Sequence, residues 1–257
     1  MTHTFKLPSG VECELSELTG KQQRILTEQN KKPHNEKLAE MLASILVRVG
    51  SKTDIDEKFI KEKMLTCDRN AALVEARQFS LDFEDEFVFM HTYKGADGQK
   101  HTVEISEKVP EGRFPSTPVK KLNAKKEYEP ANYSEYEEIE KDILIELPRS
   151  KKKVRFTLLD GSGEKIGVST SKTKRSSHTP IKMRNPVYFE QGKKDVIPVS
   201  LNLDNLGIKD IEFLRKKIKE FEGRVDTEIM FDHPVEDKQE ILDVISTVAF
   251  FFPSEAI

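Results

Sequence analysis

One short sequence pattern occurs twice in the chain. A Leu-Pro dipeptide opens LPSGVECELSELTGK from Leu7 and LPRSKKKVRFTLLDGSGEK from Leu147, and each string alternates before it reaches Leu-Thr-Gly or Leu-Asp-Gly. Alternation has the period of a half-buried strand, because successive side chains point to opposite faces. The pattern therefore predicts two related halves.

A helix follows in both halves. Asp68 opens DRNAALVEARQF and Asp210 opens DIEFLRKKIKEF, each with apolar residues at helical spacing. A carboxylate at the start of a helix accepts backbone N–H groups that have no partner within the helix. Gly223 stands where a helix usually ends.

Both halves then close on a strand, a polar turn and a second strand. The two strings are FVFMHTYKGADGQKHTVEI from Phe87 and EIMFDHPVEDKQEILDVI from Glu228. Three matches in one order, about 140 residues apart, indicate duplication. The expected fold class is α+β, with two related units. Each unit has a strand or hairpin region, helices and a terminal two-stranded hairpin.

The predicted organisation has three parts. Residues 1–106 form an N-terminal α+β unit with extra helices, and residues 107–141 form a linker rich in proline, tyrosine and acidic residues. Residues 142–257 form a C-terminal α+β unit. A basic stretch near 167–186 has no apolar periodicity, and we expect a mobile loop there.

The extra helices of the first unit have their own signals. Thr19 to Gln22 is a capping box, and Asn35 precedes an apolar stripe that runs to Val49 before Gly50. Asp54 is expected to begin a third helix. The stripe is interpreted as core, with a groove filler for a partner as the alternative.

Composition limits the function classes. The net charge of −3 gives no global attraction to nucleic acid or to an anionic membrane. Cys13 and Cys67 form neither a disulfide framework nor a metal pair, so we expect buried reduced thiols. The N-terminal stretch has no apolar run, which predicts no signal peptide and a cytoplasmic protein.

No catalytic motif is found. GSGEK from Gly161 lacks the ending of a phosphate loop, and no acid–base pair can be nominated. His91, His101 and His233 are scattered in sequence and are interpreted as surface turn residues, a poor zinc set. The sequence thus predicts no enzyme, no cofactor and a fold that forms without metal.

Partner contact is expected on aromatic groups and on the basic loop, because such segments can order on binding. For the phenylalanines, the alternative is a core strand ended by Pro253. The nominated residues are Phe250, Phe251, Phe252, Tyr128, Tyr133, Tyr136, Lys174 and Arg175.

The strings LPSG…ELTGKQQRILTEQN, CDRNAALVEARQFSLDFEDEF and IKDIEFLRKKIKEFEGRVDTEIMFDHP…FFFP together resemble the T-even phage baseplate hub assembly family. The resemblance covers roughly residues 5–105 and 142–253. Many members carry CPxCG-like knuckles in the two hairpins, where this chain has residues 91–95 and 232–235. That departure puts a metal role in doubt, though not the fold.

The resemblance implies an assembly chaperone for the central hub beneath the tail tube, and no catalytic residue. The implied partners are hub or tape-measure proteins, in the cytoplasm of the infected bacterial cell or in the virion baseplate. The alternatives are a structural baseplate subunit that remains in the mature particle, and a tail-associated hydrolase.

Overall fold

The structure is a computed structural model, which describes residues 1–28, 32–81, 86–94, 97–108, 114–123, 127–163, 179–191, 196–234 and 236–252. Helices and antiparallel sheets both occur, so the predicted α+β class is confirmed. Within the described residues, no helix is both long and apolar enough to cross a membrane.

The helices are α1 (Gly20–Thr27), α2 (His34–Ile45), α3 (Glu57–Glu62), α4 (Thr66–Ser80), α5 (Thr179–Lys182), α6 (Ile208–Phe221) and α7 (Val248–Phe251). The strands are β1 (Thr2–Lys6), β2 (Glu12–Ser16), β3 (Leu46–Val49), β4 (Glu86–Lys94), β5 (Lys100–Lys108), β6 (Ser116–Thr117), β7 (Lys120–Leu122), β8 (Tyr128–Pro130), β9 (Asp142–Glu146), β10 (Lys153–Thr157), β11 (Val187–Gln191), β12 (Val196–Ser200), β13 (Arg224–Val225), β14 (Glu228–Asp232) and β15 (Gln239–Asp243). Short 3-10 turns span Tyr136–Glu138, Leu203–Asn205 and Val244–Ser246.

The element order repeats. In the first half β1, β2 and β3 form an antiparallel sheet, and α4 and the β4–β5 hairpin follow along the chain. In the second half β9, β10 and β11 form the same arrangement, with β12 added at the edge, before α6 and the β14–β15 hairpin. The predicted succession of strands, helix and terminal hairpin is thus confirmed in both halves. We call residues 2–108 unit 1 and residues 142–252 unit 2.

One polar contact recurs at the same place in each unit. Asp68, in the first turn of α4, accepts the N–H of Ser9 at 2.9 Å. Asp210, in the first turn of α6, accepts the N–H groups of Arg149 and Ser150 at 2.9 and 3.0 Å. Both carboxylates are buried, and both bind the turn that follows a Leu-Pro dipeptide. The sequence predicted a helix-capping role, whereas the structure shows that these carboxylates fasten the first hairpin of the unit to its helix.

A second recurring contact joins the other end of the same helix to the end of the same hairpin. The N–H of Leu18 donates to Ser80 Oγ at 2.7 Å, and the N–H of Leu159 donates to Glu222 Oε1 at 3.2 Å. The residue after each leucine accepts backbone N–H groups of the helical turn that follows. Both ends of the hairpin–helix pair are therefore tied by equivalent bonds.

Residues 114–123 and 127–141 correct the linker interpretation. Val119 and Ala131 are buried, and the N–H of Val119 donates to the carbonyl of Pro8 at 2.9 Å. Strand β6 also pairs with β13 of unit 2. This segment is part of the body of the protein, because its apolar side chains complete the core beside both units.

Two glycines with positive φ lie under this segment. Gly10 has φ +90°, and a Cβ built there would lie 2.9 Å from the carbonyl oxygen of Ala131. Gly223 has φ +61°, and its Cβ would lie 2.7 Å from the backbone nitrogen of Val119. The end of α6 at Gly223 confirms the prediction, and both sites need glycine for close approach as well as for backbone conformation.

Local boundaries in unit 1 differ from the expectation. The capping box at the start of α1 is confirmed. The predicted stripe is divided, since α2 begins at His34 and ends at Ile45, and Leu46–Val49 is strand β3. The β-branched Val47 and Val49 favour a strand once a sheet edge is present to pair with. Asp56, and not Asp54, caps α3.

Asp68 makes stability depend on pH. Burial raises the pKa of Asp68 to about 6, from an ordinary value of 3.8. Its favourable contribution is therefore complete below about pH 4 and is lost as the pH rises through 6. Relative to Asp68→Asn, the wild-type free energy of unfolding should fall by about 2 kcal/mol between pH 4 and pH 7.5. Urea titrations of both proteins across this range measure the difference.

Asp210→Asn is the matched control. Burial acts to raise the pKa of Asp210, but the N–H groups of Arg149 and Ser150 outweigh it, and the net pKa is lowered. The contribution of Asp210 is lost only as the pH falls below the ordinary range. Its wild-type-to-variant difference should therefore be flat above about pH 4.5. A flat profile for Asp68→Asn as well would refute the inferred pKa.

A pair of alanine substitutions tests the close approach at Gly10. Gly98 also has positive φ, at +77°, but a Cβ there meets only the Lys94 side chain at 3.9 Å. Gly98→Ala should lower the unfolding free energy by about 1 kcal/mol, because the alanine would have to adopt a left-handed backbone conformation without any further clash. Gly10→Ala should cost at least about 2 kcal/mol more, measured by denaturant unfolding. Equal costs would show that residues 131–132 can move away from the turn.

Candidate functional site

The outer face of the unit 2 sheet carries an apolar patch, with charged side chains such as Glu146 and Lys153 beside it. Strand β9 buries Ile143 and Ile145 and leaves Leu144 57% exposed between them. The backbone register places one row across the four strands of this face: Leu144, Arg155, Val187 and Ser200. In the neighbouring row, Phe189 of β11 lies opposite the exposed Pro198 of β12. We call these six residues the outer row.

The same face of unit 1 is polar. Counting from the Leu-Pro dipeptides, Thr4 takes the place of Leu144. Its row across the sheet continues through Glu14 and Arg48, whose charged groups lie 3.6 Å apart. Because unit 1 forms the same three-stranded sheet with a polar outer face, the fold does not require apolar residues there. The difference points to contact with another molecule.

Arg155 is the charged member of the outer row. Its guanidinium lies over the ring of Phe189, 5.6 Å from the centroid, and 3.6 Å from the carboxylate of Asp142. A partly exposed arginine stacked on an aromatic ring beside apolar side chains is typical of the residues that contribute most to protein–protein affinity. The outer row is therefore the candidate protein-binding surface.

Tyr136, nominated as a partner contact, is a core residue. Its hydroxyl donates to Asp68 Oδ2 at 3.1 Å and accepts the N–H of Leu65. Burial raises the pKa of this phenol well above its usual value. The nomination is wrong, because the hydroxyl satisfies buried polar groups between unit 1 and the 114–141 segment.

The other two tyrosines are nearer the surface. Tyr128 is exposed, but one side of its ring packs on Phe221 at 4.5 Å, and Lys217 Nζ lies 4.7 Å from its centroid. Tyr133 is half-buried, with Lys121 Nζ 5.5 Å from its centroid. Their role in binding stays a prediction. Lys174 and Arg175 lie outside the described residues.

The phenylalanine run belongs to the core. Phe250 and Phe251 are fully buried on α7, and Phe252 is half-buried against the same core. Arg77 of α4 donates from Nε to the carbonyl of Phe250 at 2.6 Å. The nomination of these residues as exposed contacts is wrong. The alternative core interpretation is confirmed, although the segment is a helix and not a strand.

Where the predicted basic loop ends, the chain is folded. Ile181 on α5 is buried, and Arg184 forms a bidentate pair with Glu222, with both N–O distances 2.6 Å. Residues 179–186 therefore correct the prediction of a loop extending to 186. The preceding part, 164–178, lies outside the described residues.

The two terminal hairpins pack against each other. Phe89 of β4 and Phe231 of β14 meet edge to face with centroids 5.2 Å apart. His91 and His233 occupy equivalent positions two residues further on, and their centroids are 5.8 Å apart. Residues at matching positions thus contact one another, as across a two-fold axis.

This junction corrects the interpretation of two histidines. His233 is buried and His91 is half-buried, so neither is a surface turn residue. His91 Nε2 lies 3.3 Å from Glu240 Oε2 of β15. Among the described residues, His91, His233 and Glu240 form the group whose ligand atoms come within 4.8 Å of one another. Sequence reasoning missed the set, because its members are distant along the chain.

The environments of the two cysteines do not activate their thiols. Both are free and buried, as predicted. Burial raises the pKa of Cys13 to about 12, and burial likewise raises that of Cys67 well above its usual value. A thiol held protonated in this way is a poor nucleophile and a poor metal ligand.

Metal-free folding remains the expectation. Structural zinc sites close with four ligands, whereas the junction offers three, and the aromatic contacts already hold the hairpins together. We expect EDTA to leave the melting temperature unchanged, as measured by circular dichroism at 222 nm. A large EDTA-induced loss of stability would show that the fold requires a metal.

A sequence signal for the outer row does exist. The strings ILI at 143–145 and VYF at 187–189 are continuous apolar runs on strands with one buried face, so some of their residues must face outward.

Comparisons with protein-family models, curated proteins and solved structures found no match to this chain.

Proposed function

We propose that this protein is a non-enzymatic assembly chaperone for the baseplate hub of a contractile phage tail or a related injection system. The outer row is the observation that carries the proposal, because it combines apolar side chains with a ring-stacked arginine at positions where the equivalent row of unit 1 is polar. The sequence resemblance suggests the partners, which are hub or tape-measure proteins in the cytoplasm of the infected bacterium.

The buried titratable groups support a binding role. Shifted pKa values often mark catalytic clefts, but Asp68 and Cys67 are enclosed in the core, and Tyr136, which lines a cleft, is itself buried. Asp68 and Tyr136 are hydrogen-bonded to each other and to backbone N–H groups. These hydrogen bonds hold elements of the fold together, and that structural role accounts for the buried environment of the two side chains.

A cleft of about 730 Å³ between α3 and residues 136–162 offers no competing function. Its lining has both signs of charge, including Lys52 and Lys58 as well as Asp56 and Glu62. Lys141 is paired with Asp160 at 3.1 Å. Neither an anion nor a cation is favoured by such a surface.

The binding surface is tested by replacing apolar residues of the outer row with polar ones, because the equivalent row of unit 1 is polar. In Leu144→Thr/Val187→Thr, both strand positions carry β-branched threonine, so the unfolding free energy should change by no more than about 1 kcal/mol. Co-purification with co-expressed hub and tape-measure proteins should fall at least about tenfold.

Met230→Thr/Ile241→Thr is the matched control. These two residues also lie opposite each other on neighbouring strands and are 59% and 63% exposed. Co-purification should be unchanged in this variant. Equal losses in both variants, or a loss only in the control, would remove the outer row as the binding surface.

The chaperone role itself has a separate readout. A chaperone should be present in hub assembly intermediates and absent from purified mature tails, whereas a structural subunit would be present in both. Quantitative mass spectrometry of the two fractions makes the comparison. Stoichiometric recovery from mature tails would favour the structural alternative, and digestion of purified peptidoglycan would favour the hydrolase.

A further inference from the structure

The junction of the terminal hairpins brings three ligand-type side chains to one point. His91 comes from β4 of unit 1, His233 follows β14 of unit 2, and Glu240 lies on β15. One ligand atom from each lies within 4.8 Å of the others. A single cation at the centre of such a set can be reached by all three.

The environment of His91 gives separate support for a ligand at this point. Its Nε2 atom is buried and has no hydrogen-bond partner, although Glu240 Oε2 is only 3.3 Å away. The two groups are close but misaligned for a direct hydrogen bond. A buried ring nitrogen without a partner is costly, and a ligand between the two groups would satisfy it.

The surroundings favour retention of a cation once it has entered. The rings of Tyr93 and Phe231 pack around the two imidazoles, with centroid distances of 4.9 Å from Tyr93 to His233 and 5.0 Å from Phe231 to His91. Lys238 Nζ lies 3.1 Å from the other carboxylate oxygen of Glu240 and fixes its orientation. Aromatic walls lower the local dielectric, and a bonded carboxylate is a better-placed ligand.

We propose that His91, His233 and Glu240 form a labile binding site for a borderline divalent cation of the zinc class. Two imidazoles and one carboxylate suit Zn²⁺ or Ni²⁺ and do not suit Mg²⁺ or Ca²⁺, which take oxygen ligands. Three protein ligands leave a coordination position open to water or to a donor from a bound partner.

One contact makes the site weak. His233 Nδ1 accepts the N–H of Glu236 at 2.9 Å, so in this arrangement the proton of the neutral ring is on Nε2. The bond to Glu236 must therefore open before His233 binds a cation, either because the proton moves to Nδ1 and frees Nε2 or because Nδ1 itself becomes the ligand. The positive charge of Lys238 adds to the cost. The site is therefore loaded reversibly, and folding does not depend on it.

The bound cation would link the two units. His91 belongs to the hairpin of unit 1 and the other two ligands to that of unit 2, so binding adds a cross-unit contact that is absent otherwise. The inference does not rest on the proposed chaperone function.

Zinc titration of the full-length, chelator-stripped and tag-free protein by isothermal calorimetry tests the proposal. We expect one Zn²⁺ per chain and no heat from Mg²⁺. The variants His91→Gln, His233→Gln and Glu240→Gln should each weaken the affinity by about tenfold or more. Co²⁺ should give visible absorption bands of a low-coordinate site in the wild type, and each variant should lose them.

His101→Gln is the matched control. His101 lies on the same hairpin and forms an exposed pair with Asp97 at 3.0 Å, outside the three-ligand set. Its affinity for Zn²⁺ should stay within about twofold of wild type, below the effect expected of a ligand. Circular dichroism without metal checks that all four variants fold. Absence of Zn²⁺ binding, or equal affinity in all folded variants, would overturn the proposal.

Discussion

Each unit is organised around one buried carboxylate. Asp68 and Asp210 project from the first turn of a helix and bind the backbone of the Leu-Pro turn in the hairpin that begins the unit. A buried turn with unsatisfied N–H groups would cost about 1–3 kcal/mol per group, so the helix and hairpin must dock together in one register. The sheet, the second tie at the far end of the helix and the terminal hairpin all follow from that docking.

The two carboxylates have different environments although they do the same task. Asp210 receives two backbone N–H groups, and its pKa is lowered in spite of burial. Asp68 receives one N–H and the hydroxyl of Tyr136, and burial prevails. The difference arises because burial outweighs the hydrogen bonds at Asp68, including the bond from Tyr136 that lowers its pKa, whereas the hydrogen bonds outweigh burial at Asp210. Two carboxylates at equivalent positions in the repeated element order thus differ in their electrostatics.

Much of this arrangement could be predicted from the sequence, and the reasons for the failures are physical. The Leu-Pro strings, the helix-opening aspartates and the hairpin turns are local signals, and they correctly gave the element order. Tyr136 and Phe250 failed because aromatic residues in polar or terminal strings can be drawn into a core by distant partners, here Asp68 and Arg77. The histidine cluster needs two hairpins to meet, and no local pattern reports that. The outer row was accessible in principle, since an apolar run on a one-sided strand must expose some of its members.

The segment that crosses Gly10 and Gly223 has a consequence for how the chain can be divided. It lies against the first turn of unit 1 and against the end of α6 in unit 2, so each unit presents bare backbone to residues that are not its own. Expressed as separate halves, the units would leave that backbone uncovered and would lose the buried side chains of the segment. The repeated element order therefore does not divide the chain into two units with self-contained cores, because both depend on the same segment.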